Sequence, residues 1–244
     1  MDDGQQTNSL LGFGSTVAQL DLLRVVGQEL KLPLTHIANA ASMLSDNDMS
    51  EQELSNQYQQ LEITSRRMIQ LVDSILFAGQ VETNQTQLNL TPTNVAAVAH
   101  KVVEELNGIS KLYETKVNLR VTQALSPAAV DPVALRHTIF GILDVLIRTS
   151  KDEIDILVHH QTDSVMITMR SPGPAFSLTA ITDAIRRMGK AAQPIRQLPN
   201  TTGMAFFVAH SLTAAMSGKF FVTHSSGKRN IAIKLPLSAQ LELV

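Results

Sequence analysis

An α+β fold in two parts is what this sequence predicts: an N-terminal helical hairpin followed by an α/β sandwich. Three observations predict it. Apolar residues recur at steps of three and four through the first 80 positions, the spacing that lines up stripes on helices. Residues 80–87 are polar and turn-rich, and they break that rhythm. Beyond residue 88 short alternating runs interleave with helical ones, and elements mixed in this way pack as helices over one face of a sheet. The boundaries that follow are a flexible lead-in at 1–14, a hairpin at 15–80 and a sandwich domain at 88–244.

In the hairpin, Val17, Leu20, Leu23, Val26, Leu30, Leu34, Ile37, Ala41 and Leu44 align along one first helix. Pro33 lies inside it and removes one backbone bond; because the period resumes in phase, the expectation is a bend and not an end. Ser45-Asp46-Asn47-Asp48 interrupts the pattern, and Ser50 followed by Glu53 is a capping-box signal for a second helix. That helix carries Leu54, Tyr58, Leu61, Ser65, Met68, Val72, Ile75 and Gly79 on one face. Each stripe is long for a single partner helix to cover, so self-association into a dimeric four-helix bundle through residues 15–80 is expected.

In the second part, strands are expected at 88–90, 117–121, 154–158, 165–169, 219–223 and 230–235, the third and fourth as an antiparallel pair. Helices are expected at 94–108, 132–148, 178–188 and 202–216. Charge and composition narrow the function. With 20 Lys+Arg against 22 Asp+Glu, there is no general electrostatic reason to expect nucleic acid or an anionic membrane as partner. The chain has no cysteine, which removes disulfides, thiol nucleophiles and cysteine-based metal sites. The apolar stretch at 133–147 is interrupted by Arg136, His137 and Asp144 and is shorter than the roughly 20 residues of a membrane span. No signal-peptide pattern opens the sequence. These features make a cytoplasmic protein, or the cytoplasmic part of one, with no membrane insertion in this chain, the expectation.

Six short motifs in order carry a resemblance. Gln28-Glu29-Leu30-Lys31-Leu32-Pro33-Leu34 resembles the phosphoacceptor box His-Glu-Leu-Arg-Thr-Pro-Leu of two-component sensor histidine kinases. Asp131-Pro132-Val133-Ala134-Leu135-Arg136 is similar to that family's run into the helix bearing its paired asparagines. Ser171-Pro172-Gly173-Pro174-Ala175-Phe176 stands where the family has Asp-Asn-Gly-Pro-Gly-Ile, and Thr201-Thr202-Gly203-Met204-Ala205-Phe206 where it has Gly-Thr-Gly-Leu-Gly-Leu. Ser217-Gly218-Lys219 and Leu235-Pro236-Leu237 complete the series, over roughly residues 15–238. The resemblance implies a dimerisation and phosphoacceptor hairpin followed by a histidine kinase ATPase-type sandwich.

The same resemblance implies that the chemistry is degenerate. The family's nucleophile is a histidine with a neighbouring carboxylate; Glu29 is present, but the nucleophile position is Gln28, whose amide lone pair is delocalised into the carbonyl. The polar side chain that positions water for dephosphorylation falls on Leu32. His36 is the alternative acceptor, eight residues beyond Gln28 and about 80° around an ideal helix from it. The magnesium-holding asparagines fall on Gly141 and Val145, and the adenine-reading aspartate falls on Ser171. Of the glycine-rich boxes Gly173 and Gly203 remain. Asp144 is a carboxylate beside the lost asparagine, with a solvated helix-surface acid as its plain reading. His159 and His160, adjacent on a strand, point to opposite faces, so no metal is expected there. Arg186, Arg187, Lys190 and Arg196 make a local basic segment, a solvated loop by default and an acidic-partner patch as the sharper alternative.

The reading is therefore a histidine kinase-like signalling protein, a pseudokinase or adaptor that dimerises and docks a response-regulator receiver domain or a partner kinase. No cofactor is expected. The alternative is an active kinase using ATP and Mg²⁺, or a phosphotransferase using His36.

Overall fold

The computed structural model describes residues 16–44, 49–122, 125–150, 153–172, 203–225 and 228–238. Helix α1 (Thr16–Met43) contains Pro33, as expected, and continues through it. Helix α2 (Glu51–Glu82) starts at the predicted capping box: the Glu53 amide donates to Ser50 Oγ at 3.3 Å, and the Ser50 amide donates to Glu53 Oε2 at 2.9 Å. It runs two residues past the predicted end, closed by Thr83, whose hydroxyl donates to the Gly79 carbonyl at 2.8 Å. The lead-in at 1–14, the 45–48 break, the helix expected at 178–188 and the basic segment lie outside the described residues.

The sandwich domain follows as β1 (Thr91–Thr93), α3 (Val95–Glu105), α4 (Asn107–Leu112), β2 (Val117–Val121), β3 (Ala128–Val130), α5 (Pro132–Thr149), β4 (Ile154–Gln161), β5 (Ser164–Pro172), α6 (Met204–Ala215), β6 (Lys219–Ser225) and β7 (Lys228–Pro236). Five strands form one sheet in the order β2-β4-β5-β7-β6; β2 pairs parallel with β4, and the other pairs are antiparallel. The β4–β5 pair matches the sequence expectation. β1 and β3 form a separate small ladder.

Period-two alternation decides which face of the sheet is covered. Ile154, Ile156 and Val158 on β4, Val165, Ile167 and Met169 on β5, and Ile231, Ile233 and Leu235 on β7 are buried. They meet Ala99 and Val102 of α3, Leu135, Ile139, Ile142 and Leu143 of α5, and Phe206 and Leu212 of α6 in one core.

Two expectations need correction. The strand predicted at 88–90 forms three residues later, because the Asn89 amide is already committed: it donates to Asp131 Oδ2 at 2.8 Å, on the residue that caps α5. The helix predicted at 94–108 divides at Leu106, which is fully buried and caps α3. Asn94 caps α3 as an asparagine should, accepting the Ala97 amide at 3.1 Å. Gly218 has a separate structural reason for being glycine. A Cβ there would stand 2.7 Å from the Lys234 carbonyl oxygen, so any side chain would force the α6–β6 turn away from β7.

Candidate functional site

Gly141, Asp144 and Val145 all lie on α5, and the helix begins firmly. Asp131 Oδ1 accepts the amides of Val133 at 2.8 Å and Ala134 at 2.9 Å, and Pro132 sits in the first turn, where its missing N–H costs nothing. Twelve of its 18 residues are buried, so the polar ones among them, at 137, 138 and 144, need partners inside the protein.

Asp144 finds two. Arg67 of α2 donates Nε to its Oδ1 at 2.9 Å and Oδ2 at 3.0 Å, and Arg148, one turn on, donates Nε to Oδ2 at 3.1 Å. With 7% of its surface exposed, Asp144 is not the solvated acid expected from sequence. Sequence reasoning could not see Arg67, which is 77 residues away. Burial alone would raise the Asp144 carboxyl; Arg148 and Arg67 outweigh it and hold the group below the usual carboxylate range. Burial also works against the charge on Arg67, and Asp144 overcomes it, with Tyr113 and Glu29 adding to the field that keeps the guanidinium charged.

The asparagine positions are closed to a hydrated cation. Val145 is 0% exposed and apolar. Gly141 has no side chain, and a Cβ there would lie 3.5 Å from Ala205 Cβ, so α5 and α6 are already in van der Waals contact. Between α2, α5 and α6, a cavity of about 20 Å³ is lined by Ser74, His137, Gly141, Asp144 and Ala205, room for about one water. Among the described residues, no three histidine or acidic side chains cluster in a way that could hold a metal ion. Ser171, at the adenine-reading position, is buried with its hydroxyl against that of Ser150. Gly203 keeps a backbone role: at φ 84° it takes the left-handed turn that opens α6, where a Cβ would be strained. Gly173 lies outside the described residues. The described side chains thus do not fit Mg²⁺ bound to nucleotide phosphates.

In the phosphoacceptor frame, Gln28 falls within α1, and Glu29 is buried toward Arg67. His36 is exposed, and it lines a groove with Leu32, Pro33, Ile37 and Tyr113, of about 470 Å³ in all. The structure therefore brings Glu29 and Asp144 to one arginine, Arg67, and Arg67 and Arg148 also line the groove that holds His36.

A further set of residues was not predicted. His137 Nδ1 lies 2.8 Å from Ser74 Oγ, and its ring stacks on Phe77 with centroids 5.2 Å apart. Arg136 donates to Gln70 Oε1 at 2.9 Å and to Glu105 Oε2 at 2.7 Å. The signal was present in α2, where Ile63, Arg67, Gln70, Ser74, Phe77 and Val81 repeat at steps of four and three beside the stripe read as the bundle face.

The chain is similar to histidine kinases in sequence and has the fold of their cores, a helical hairpin with an ATPase-type sandwich. It is 24% identical over 163 residues to the adaptive-response sensory kinase SasA of Synechococcus sp. (strain JA-3-3Ab), a match covering 63% of this chain and 42% of that relative. No family model matches. Among solved structures, the histidine kinase AdeS of Acinetobacter baumannii superposes with a TM-score of 0.58 at 19% identity, covering 86% of this chain and 98% of that one. Full-length ShkA in complex with AMPPNP gives 0.58 at 14% identity, over 91% of this chain and 46% of that chain. Histidine kinase ThkA in complex with the response regulator TrrA gives 0.57 at 11% identity, over 87% and 60%. No helix among the described residues is long and apolar enough to cross a membrane.

Proposed function

We propose that this chain is a cytoplasmic, histidine kinase-like two-component protein that works as a pseudokinase or adaptor: it dimerises through its hairpin and docks a response-regulator receiver domain or a partner kinase. The observation that carries the reading is the state of α5. The carboxylate beside the asparagine positions is consumed by Arg67 and Arg148, and the positions themselves hold Gly141 and buried Val145. Gln28 in place of the nucleophile supports the same reading from the hairpin side.

Dimerisation is supported by apolar side chains of the hairpin that stand about half exposed among the described residues. Leu34 on α1 and Tyr58, Ile69 and Leu76 on α2 are between 48% and 58% exposed, and a four-helix bundle would bury such residues. Light scattering after size exclusion, followed by a binding survey against purified receiver domains, tests the proposal. A dimer that retains at least one receiver domain supports it; a monomer that binds none overturns it.

One observation favours a second reading. His36 is exposed in a groove, where a phosphorylated regulator could present its acyl phosphate to the imidazole. An acid-labile label acquired from such a donor by the wild type and lost in His36→Ala would establish phosphotransfer. Absence of label would leave the adaptor reading.

A further inference from the structure

The groove that holds His36 lies where four helices converge. Pro33 comes to it from α1, Leu61 and Arg67 from α2, Leu112 from the end of α4 and Arg148 from the last turn of α5. Its volume of about 470 Å³ falls within the ~300–1,000 Å³ of small-molecule sites. Its walls are apolar and open to water: Leu32, Met43, Leu112 and Tyr113 are between 36% and 51% exposed. Large apolar side chains gathered around one concave surface mark a place where something binds. Leu34, Tyr58, Ile69 and Leu76, the side chains that support dimerisation, do not line it, so the groove and that stripe are separate surfaces.

The charged lining of the groove has one sign. The side chains of Arg67 and Arg148 are only 15% and 6% exposed, and no described residue that lines the groove is acidic. Asp144 holds both arginines without lining it, and it engages Arg67 through Nε alone, which donates to the two carboxylate oxygens at 2.9 and 3.0 Å. The terminal nitrogens of the Arg67 guanidinium meet no acceptor among the described residues. A guanidinium this enclosed is costly to leave short of acceptors, and its terminal edge matches the two oxygens of a carboxylate. Glu29 also acts on Arg67, so two arginines and two carboxylates balance in charge. What draws an anion is therefore the open donor edge in an acid-free lining, and such a site suits a singly charged head better than a multiply charged one.

We infer that this groove is a binding site for a small organic carboxylate. Its head meets the terminal edge of Arg67, beside Arg148, and a flat or branched apolar body lies against Leu32, Leu112 and Tyr113. A cation would face two guanidiniums, and a neutral molecule of the same shape would offer the Arg67 donors a weaker acceptor, so the site selects by charge as well as by shape. The site does not depend on whether the chain docks a receiver domain or binds nucleotide.

The chain has two tyrosines, and they make a test specific to position: Tyr113 lines the groove, and Tyr58 lies outside it. The full chain labelled with 3-fluorotyrosine gives one fluorine resonance from each, and Tyr58→Phe assigns them. Titration with benzoate at constant ionic strength should move the Tyr113 resonance saturably and leave that of Tyr58 in place. Benzamide and benzamidinium, flat molecules of nearly the same shape, should bind about tenfold more weakly or not at all. Arg67→Lys keeps a cation for Asp144 but removes the planar donor edge, and it should weaken benzoate by about tenfold with the helix content unchanged by circular dichroism. Asn39→Trp, at an exposed position in the groove and remote from the Arg67–Asp144 pair in sequence, fills the space and should abolish the shift even where Arg67→Lys fails to fold. A Tyr113 resonance that benzoate does not move, one that benzamide or benzamidinium moves as readily, or saturable binding that persists in Asn39→Trp would each overturn the site.

Discussion

In the sandwich domain Leu135, Ile139, Ile142 and Leu143 of α5 have no exposed surface, whereas in the hairpin Leu34, Tyr58, Ile69 and Leu76 are each about half exposed. The sandwich builds its core on a five-stranded sheet, and Ile75 and Ala78 of α2 join that core from the hairpin side. Among the described residues, the hairpin covers part of one face with α5 and α6 and leaves another about half exposed. Where burial is incomplete, stability and function depend on what comes to cover the remainder.

Substitutions should separate the two regions by size of effect. Leu143→Ala empties a fully buried site under the sheet and should cost about 4 kcal/mol in urea unfolding, with the sandwich lost first. A cost below about 1 kcal/mol would mean that this core is looser than its burial indicates. Asp144→Ala strands two guanidiniums in the α2–α5 seam and should cost about 3 kcal/mol, less in Asp144→Ala/Arg67→Met, where an apolar chain replaces one of the charges. The acid limb of the same curve follows from the sign of the shift. Asp144 stabilises the fold fully above the ordinary carboxylate range and ceases to do so as pH falls through its lowered value, so the wild type should lose more stability in strong acid than Asp144→Asn.

Smaller effects sharpen the contrast. Asp131→Ala removes the α5 cap and the Asn89 contact and should cost about 1–2 kcal/mol by thermal melting. On the hairpin, Ile69→Ser and Leu76→Ser should change stability per chain by no more than about 0.5 kcal/mol, because the side chains are already in water. Their effect should fall on association, read as a dimer-to-monomer shift in sedimentation. Unchanged association with both serines in place would remove that stripe from the dimer account.

How much the sequence revealed follows the same division. Period and capping signals located α1, α2, α5, α6 and the individual strands of the larger sheet, because each records a local requirement of the backbone. The shift from 88–90 to Thr91–Thr93 was not legible, since it depends on an amide captured by Asp131 across 42 residues. The site divides likewise. Gly141, Val145 and Ser171 could be placed on the nucleotide frame one by one, but the fate of Asp144 depends on Arg67, and that of His137 on Ser74, 63 residues away. A buried polar residue finds its partner in space, and a stripe in α2 shared between Arg67, Gln70 and Ser74 was the one local trace of it.

Calorimetric titration of the purified chain with Mg·ATP, and separately with ADP, reaches the central claim most directly. With Gly141, Val145 and Ser171 at the ligand positions and Asp144 held by two arginines, neither nucleotide should produce saturable heat. A saturable isotherm in the micromolar range would contradict the account and return the chain to the active kinases that it resembles.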